Sequence, residues 1–274
     1  MSFGHGRRTE SRLMFFALSS WALALVIFLV VATVTAAGVE LGRRLRAEHE
    51  TLREPFVVIQ GALLGLVGLI LAFGLSLAVG RYEDRRAAVV ADANAIGTTY
   101  LRAQLLTEPG RTASLALLRR YADLADRMSH EVPASDAMNR TIAAQDVVQR
   151  ELWSLAGRQL QAAPIASAPR LYVDALNPMI DQQTVRVSAL NNRVPGSVLI
   201  LEVFGAAVGL GLLGLYLSVL GRGLWPIGIA TVLVTLLLLV TFDLDRPTRG
   251  LITVPDTAYQ ALRASMALPP AAKP

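Results

Sequence analysis

Arg81, Glu83, Asp84, Arg85 and Arg86 place five charges in six positions, just after an apolar run that ends at Val79. Arg81 and Arg85 lie one helical turn apart and share a face. Such a belt has two chemical uses. It fixes the depth of a helix at a membrane surface, or it forms a ring of charge at the mouth of a pore, where it concentrates or selects ions. Two polar residues fall inside apolar runs, Gln60 and Glu202. An intramembrane carboxylate is costly and often functional. Glu202 lies about one turn into its run, so it either reaches the interface or borders a permeation path. Gln60 occupies a similar depth in its own run, which puts the two on the same side of the membrane if Glu202 is near the other helix's end. The stretch FDLDRPTRG brings Asp243, Asp245, Arg246 and Arg249 together after the last apolar run. Pro247 stops the helix there, and the two Asp are expected to face water or a partner Arg. Two carboxylates alone do not fill a calcium shell.

Other chemistry is excluded or weak. The chain has no Cys, which rules out disulfides and thiol catalysis. Its three His (His5, His49 and His130) are far apart in sequence and suggest no metal site. Gly209, Gly211 and Gly214 match the dinucleotide pattern GxGxxG, but within an apolar span, with no strand before it and no acidic residue about 20 positions on. Asn139-Arg140-Thr141 matches a glycosylation acceptor by chance. There is no Walker loop, no HExxH and no nucleophile elbow. The reading is therefore no enzyme, no cofactor and no nucleic-acid partner.

The elements that position these residues belong to a membrane protein. Of 274 residues, 53% are hydrophobic and 17% charged, with a mean hydropathy of +0.47. This is too apolar for a soluble chain of that size. Four runs are long enough to cross a bilayer: Leu13–Val39, Phe56–Val79, Ser197–Leu220 and Leu224–Phe242. The first has a basic start, and Thr35-Ala36-Ala37 faintly resembles a signal-cleavage site, but its core is about twice the usual length, so it is read as a true span. The expected organisation is an N-terminal segment 1–12, spans 1 and 2 within 13–79, a helical domain 80–196, spans 3 and 4 within 197–242, and a tail 243–274. Lys and Arg divide 21 to 5 in favour of the side holding the N-terminus, the middle block and the tail. That side is expected to be cytoplasmic, although Arg43, Arg44, Arg46 and Arg53 in the first loop argue the other way.

The middle block reads as helical throughout. Its first helix continues the second span from Arg81 to Leu106, and Thr107-Glu108-Pro109-Gly110 breaks it. A second runs from Thr112 to Glu131 with Leu115, Leu118, Tyr121, Leu124 and Met128 on one face. Ser135 caps a third, which reaches about Ala162 with Ile142, Val147, Leu152, Leu155 and Leu160 as its apolar face. Residues 163–169 form a loop. A fourth covers Leu171–Arg193, and Pro178 is expected to kink or split it near Asn177. Asp92–Arg102 reads as a segment of buried, satisfied polar contacts. No strand pattern appears, so the fold class is all-α: four transmembrane helices with a helical cytoplasmic domain. Small residues stripe span 2 (Gly61, Gly65, Gly68, Ala72, Ser76) and span 3 (Gly205, Gly209, Gly214, Ser218, Gly221). Such faces pack closely in lipid, either within one chain or between subunits around a pore.

The run LAFGLSLAVGRYEDRRAAVVADANAIGTTYLRAQLL, NPMID at Asn177–Asp181, NNRVPG at Asn191–Gly196 and FDLDRPTRGLITV at Phe242–Val254 together resemble the bacterial bestrophin-like domain family, over about Phe56–Val254. That family is distantly similar to the bestrophins, pentameric channels conducting mostly anions, whose second helix lines the pore. The resemblance implies a homo-oligomer, a pentamer, in the bacterial inner membrane, with the lipid bilayer and small inorganic ions (anions) as partners. It implies a hydrophobic constriction at Leu69 and Phe73, with a third position at Gly65 too small to constrict. Arg81, Asp84 and Arg85 would carry the pore-mouth charge. The bestrophin calcium clasp has no counterpart, because FDLDRP lacks the Asn-Pro-Phe-Gly pattern. The expected function is passive ion conduction. The alternative is a membrane-anchored interaction or regulatory protein that does not conduct.

Overall fold

A computed structural model of the chain describes residues 19–45, 53–221, 225–248 and 250–271. The N-terminal basic cluster, Arg46, Arg222, Arg249 and Lys273 lie outside them, as do residues 13–18 of the first expected span. Eight helices are present among the described residues: α1 Ser20–Leu45, α2 Arg53–Ala103, α3 Gly110–His130, α4 Asp136–Ala162, α5 Ser167–Asn191, α6 Gly196–Val219, α7 Trp225–Leu244 and α8 Thr257–Met266. No strand occurs among the described residues. Four helical stretches carry an 18-residue window with mean hydropathy of 2.3 or more, as bilayer-crossing helices require.

The chain divides into two compact units. One takes the described residues of Met1–Arg81 and Arg193–Ile252, and so contains α1, α6, α7 and the first part of α2. Its closest packing is between α1 and α6, where glycine lets the backbones touch. A Cβ at Gly38 would overlap the Gly211 carbonyl, and one at Gly42 would overlap the Leu215 carbonyl. Gly214 is hemmed in by the Thr35 carbonyl, Val39 and Ile227. Small residues are what permit such an approach in a medium that supplies no hydrophobic drive between helices. The hydroxyls of Thr35, Thr231 and Thr235 donate to the carbonyls of Val31, Ile227 and Thr231 one turn back, at 2.7–2.8 Å. No polar group of theirs is thus left bare in the apolar interior.

The other unit takes Tyr82–Asn192 and the described residues of Thr253–Pro274: the second part of α2 with α3, α4, α5 and α8. Its core gathers Ile96, Leu118, Tyr121, Leu152, Tyr172 and Met179. Ser135 caps α4 by accepting from the Met138 amide at 3.2 Å. The buried face of α4 is Thr141, Gln145, Val148, Leu152 and Ala156, and Val147 faces outward instead. Gln149 and Gln183 link the buried amides to a phenol and a carboxylate, while Gln145 takes part only as an acceptor among the described residues. Gln149 donates to Tyr121 and Gln183, and Gln183 donates to Gln145 and Asp146. Helix α5 starts earlier than expected and is not split at Pro178. Pro169 lies in its first turn, where a missing N–H costs no bond. Pro178 removes only the bond to the Asp174 carbonyl, while buried Leu176 and Met179 hold the helix in place. The adjacent Ala175 carbonyl also accepts from the Thr99 hydroxyl at 3.0 Å. The tail contributes α8.

Candidate functional site

In the first unit the apolar half of α2 carries a face that packs on none of the described residues. Leu66, Leu69 and Phe73 are exposed, Phe73 to 67%, and Ser76 and Gly80 continue the series. The steps of three and four residues keep these positions on one side of a helix. Around them the surface is small: Gly61, Gly65, Gly68 and Gly80 have open space where a Cβ would stand. The α2 stripe is therefore not packed among the described residues. The α6 stripe is, since Gly205 and Gly209 rest on Val67 and Leu64 of α2. By contrast, the exposed side of α1 bears Trp21, Leu25, Val26, Leu29 and Val30, a bulky apolar surface of the kind that faces lipid.

Glu202 backs this face. It has no exposed surface, and neither carboxylate oxygen has a hydrogen-bond partner among the described residues. Its Oε1 sits against Gly74, so closely that a Cβ there would overlap it. Gly74 follows Phe73 in the chain, so the carboxylate meets α2 about 100° around the helix from the Phe73 side chain. The expected levels of Glu202 and Gln60 are corrected here. Gln60 is buried but precedes Gly74 by fourteen residues, about 21 Å along a helix. The two chain directions are opposed, so the same sequence depth in spans 2 and 3 falls at opposite ends.

The carboxylates of FDLDRP do not face water. Asp243 and Asp245 are both buried. Asp243 accepts from the Ser20 hydroxyl at 2.9 Å and from the Ile252 amide at 2.8 Å. Asp245 accepts from the Val194 amide at 3.0 Å, and the Arg193 guanidinium lies 3.8 Å away. Their lone pairs tie the end of α7 to the start of α1 and to both ends of the unit's second segment, Arg193–Ile252. Arg81, the last residue of this unit's first segment, is half-buried.

In the second unit, exposed positions on α2 recur with the same step: Glu83, Ala87, Val90, Asn94, Thr98 and Leu101. Asp84 is exposed beside them, but Arg85 is not. Its guanidinium is buried and donates to the Asn192 carbonyl at 3.2 Å. Arg86 pairs with Glu83 at 3.7 Å on the surface.

Behind that face lies a buried ionic hub. Arg186 of α5 donates to Asp92 of α2 at 3.3 Å and to Ser129 of α3 at 2.7 Å. Its guanidinium also covers the ring of Tyr259 of α8, 4.6 Å from the centroid. The Tyr259 hydroxyl in turn donates to Asp92 at 2.5 Å. Burial pushes the Asp92 carboxyl above its ordinary range, while the Arg186 charge and the Tyr259 hydroxyl pull it down. Arg102 closes the outer end of the segment by pairing with Asp174 at 2.7 Å. The polar stretch Asp92–Arg102 thus ties four helices together. Sequence marked Asp92 and Arg102, but not Arg186 or Tyr259, which come from 94 and 167 positions away.

The sequence profile of the bestrophin-like domain matches residues 18–259. Among solved structures, the chain is similar to crystal structures of a bacterial bestrophin homologue from Klebsiella pneumoniae. A Trp-to-Ala variant of that homologue is 13% identical, with a TM-score of 0.67 over 91% of this chain and 97% of that one. A Leu-to-Thr variant is 12% identical, with a TM-score of 0.67 over 89% and 97%. At this identity the likeness is one of fold. No curated protein sequence matches significantly.

Proposed function

The chain belongs to the bestrophin-like domain family, and from that premise we propose that it forms a passive, homo-oligomeric ion channel whose pore is lined by α2. One observation carries this reading. The exposed face of α2 alternates open glycines with Leu69 and Phe73, whereas the first half of α1 exposes Trp21, Leu25, Val26, Phe28, Leu29 and Val30. A glycine-rich face with isolated large apolar residues suits close packing of copies around an axis, where those residues narrow the path. Phe73 and Leu69 are the constriction, and Gly65 widens it. Arg81 and Asp84 supply charge at the mouth, and Arg85 supports the backbone behind them. Glu202 and Gln60 are the polar residues of the spans.

The family's kinship with bestrophins supports a pentamer and anions as the conducted species. The imbalance of basic residues supports cytoplasmic termini and a cytoplasmic helical domain at 80–196, in a bacterial inner membrane. Purified protein reconstituted in planar bilayers should conduct, and Leu69→Ala and Phe73→Ala should change unit conductance. Native mass measurement should give five copies. Silence across voltage, pH and divalent ions, with a monomer or dimer in detergent, would overturn the channel and favour a membrane-anchored interaction protein.

A further inference from the structure

We propose that Asp126, His130 and Asp256 form a binding site for a divalent transition-metal ion, of which Zn2+ is the test case, joining α3 to α8. Asp126 and His130 are one turn apart at the end of α3, and Asp256 immediately precedes α8. One ligand-type atom from each lies within 4.8 Å of the other two. His130 Nε2 is 3.9 Å from Asp126 Oδ1 and 3.5 Å from Asp256 Oδ2. Ligands about 2.1 Å from a metal stand a little over 3 Å from one another, so the three need only close slightly. The imidazole is free to make that move, being 63% exposed.

The arrangement around these atoms is that of ligands already aimed. Each carboxylate gives one oxygen to a positioning donor and turns the other toward His130. Asp126 Oδ2 accepts from Arg263 at 2.9 Å, and its Oδ1 is buried with no hydrogen-bond partner. Asp256 Oδ1 accepts from Gln260 at 2.8 Å, and its Oδ2 is the atom nearest the imidazole. Outer partners of this kind fix ligand geometry in metal sites. Asp256 also stands at the N-cap of α8 without capping it. An Asp there ordinarily accepts from the first-turn amides, so this carboxylate is committed elsewhere. The charge balance favours a dication. Arg263 divides its charge between Asp123 and Asp126, and the ion-pair partner of Asp256 is His130 itself.

One nitrogen and two oxygens, with an open outer side for water, suit Zn2+ and similar ions. Ca2+ prefers an all-oxygen shell of six to eight. The ion would pin the start of α8 to α3. Tyr259, three residues past Asp256, donates to Asp92, so occupancy would also steady the buried hub that anchors α2. Acid, which protonates imidazole, would compete with the metal.

Full-length protein, stripped with chelator and kept in detergent, should be titrated with ZnCl2 by calorimetry, a readout independent of conduction. The expected result is a saturable site, one per chain, with micromolar affinity and a rise in melting temperature. His130→Ala and Asp256→Asn should each weaken it about tenfold or more while keeping the wild-type elution profile. Both side chains are partly exposed, so either variant serves if the other misfolds. No saturable uptake by the wild type, or wild-type uptake by both variants, would overturn the site.

Discussion

The Glu202 carboxylate rests on Gly74 of α2, about 100° around the helix from the side chain of its neighbour Phe73. A buried acid and an exposed aromatic thus meet the helix at adjacent residues, and any change in the size of one position bears on the other through the backbone.

Gly74→Ala should lower stability by about 1–3 kcal/mol, because the added methyl overlaps Oε1 of Glu202. Glu202→Ala in the same chain should recover most of that loss. Urea unfolding in mild detergent, arranged as a double-mutant cycle, measures the coupling. Additive effects would show that the two residues do not share their space.

The glycines of the first unit should separate into two classes. Gly38→Val drives a side chain into the Gly211 carbonyl and should cost about 3 kcal/mol or more, since backbone cannot give way as a side chain can. Gly65→Val meets nothing within its own chain and should leave the unfolding of separated protomers near the wild-type value. Its effect should appear in oligomer mass or conductance, where a seam or pore face would feel it.

Asp92→Asn should destabilise the second unit by roughly 3–5 kcal/mol, since it strands the fully buried Arg186. Replacing both partners with apolar residues, Asp92→Leu with Arg186→Met, should cost less than the sum of the single changes. Thermal unfolding of the three variants decides whether charge pairing or mere volume holds the hub.

Acid should act on the turn before α3. Glu108 accepts from the Thr112 hydroxyl and amide at 3.0 and 3.2 Å and from Arg111 at 3.0 Å. The Thr112 bonds are the main cause that holds its carboxyl below the ordinary 4.5. A depressed folded value means the contribution is complete above the unfolded value and is lost as pH falls through the folded one. Melting curves between about pH 3 and pH 6 should therefore show a shallower acid limb in Glu108→Gln than in the wild type.

Much of this architecture was legible because local chemistry decides it. Ser135 is a cap residue ahead of a periodic run, and it caps α4. Thr107 to Gly110 is a breaker cluster, and α2 and α3 are separate helices on either side of it. The exposed series of α2 was visible as a stripe of small residues, but not the fact that it faces open space, because composition alone does not tell inner seams from outer ones. The α1–α6 contact was missed: Gly38 and Gly42 look incidental among Ala and Val, and only the partner backbone at Gly211 and Leu215 gives them meaning. Burial of Asp243, Asp245 and Arg85 was hidden for the same reason. Their partners (Ser20, Ile252, Val194 and Asn192) are distant or are backbone groups with no signature of their own. His130 looked isolated because its nearest carboxylate outside α3 is 126 positions on.

Both units are discontinuous in the chain, and α8 belongs to the second one. This sets an order for biosynthesis. Tyr82–Asn192 leaves the ribosome before α6 and α7, yet it waits for Tyr259 to complete its core. The insertion of two further membrane segments therefore separates the synthesis of that unit's bulk from its closure. During the interval Asp92 and Arg186 have each other but not the third member of their hub. A chain ending between α7 and α8 would carry all four apolar segments yet lack Tyr259, the phenol that bonds Asp92 and stacks on Arg186.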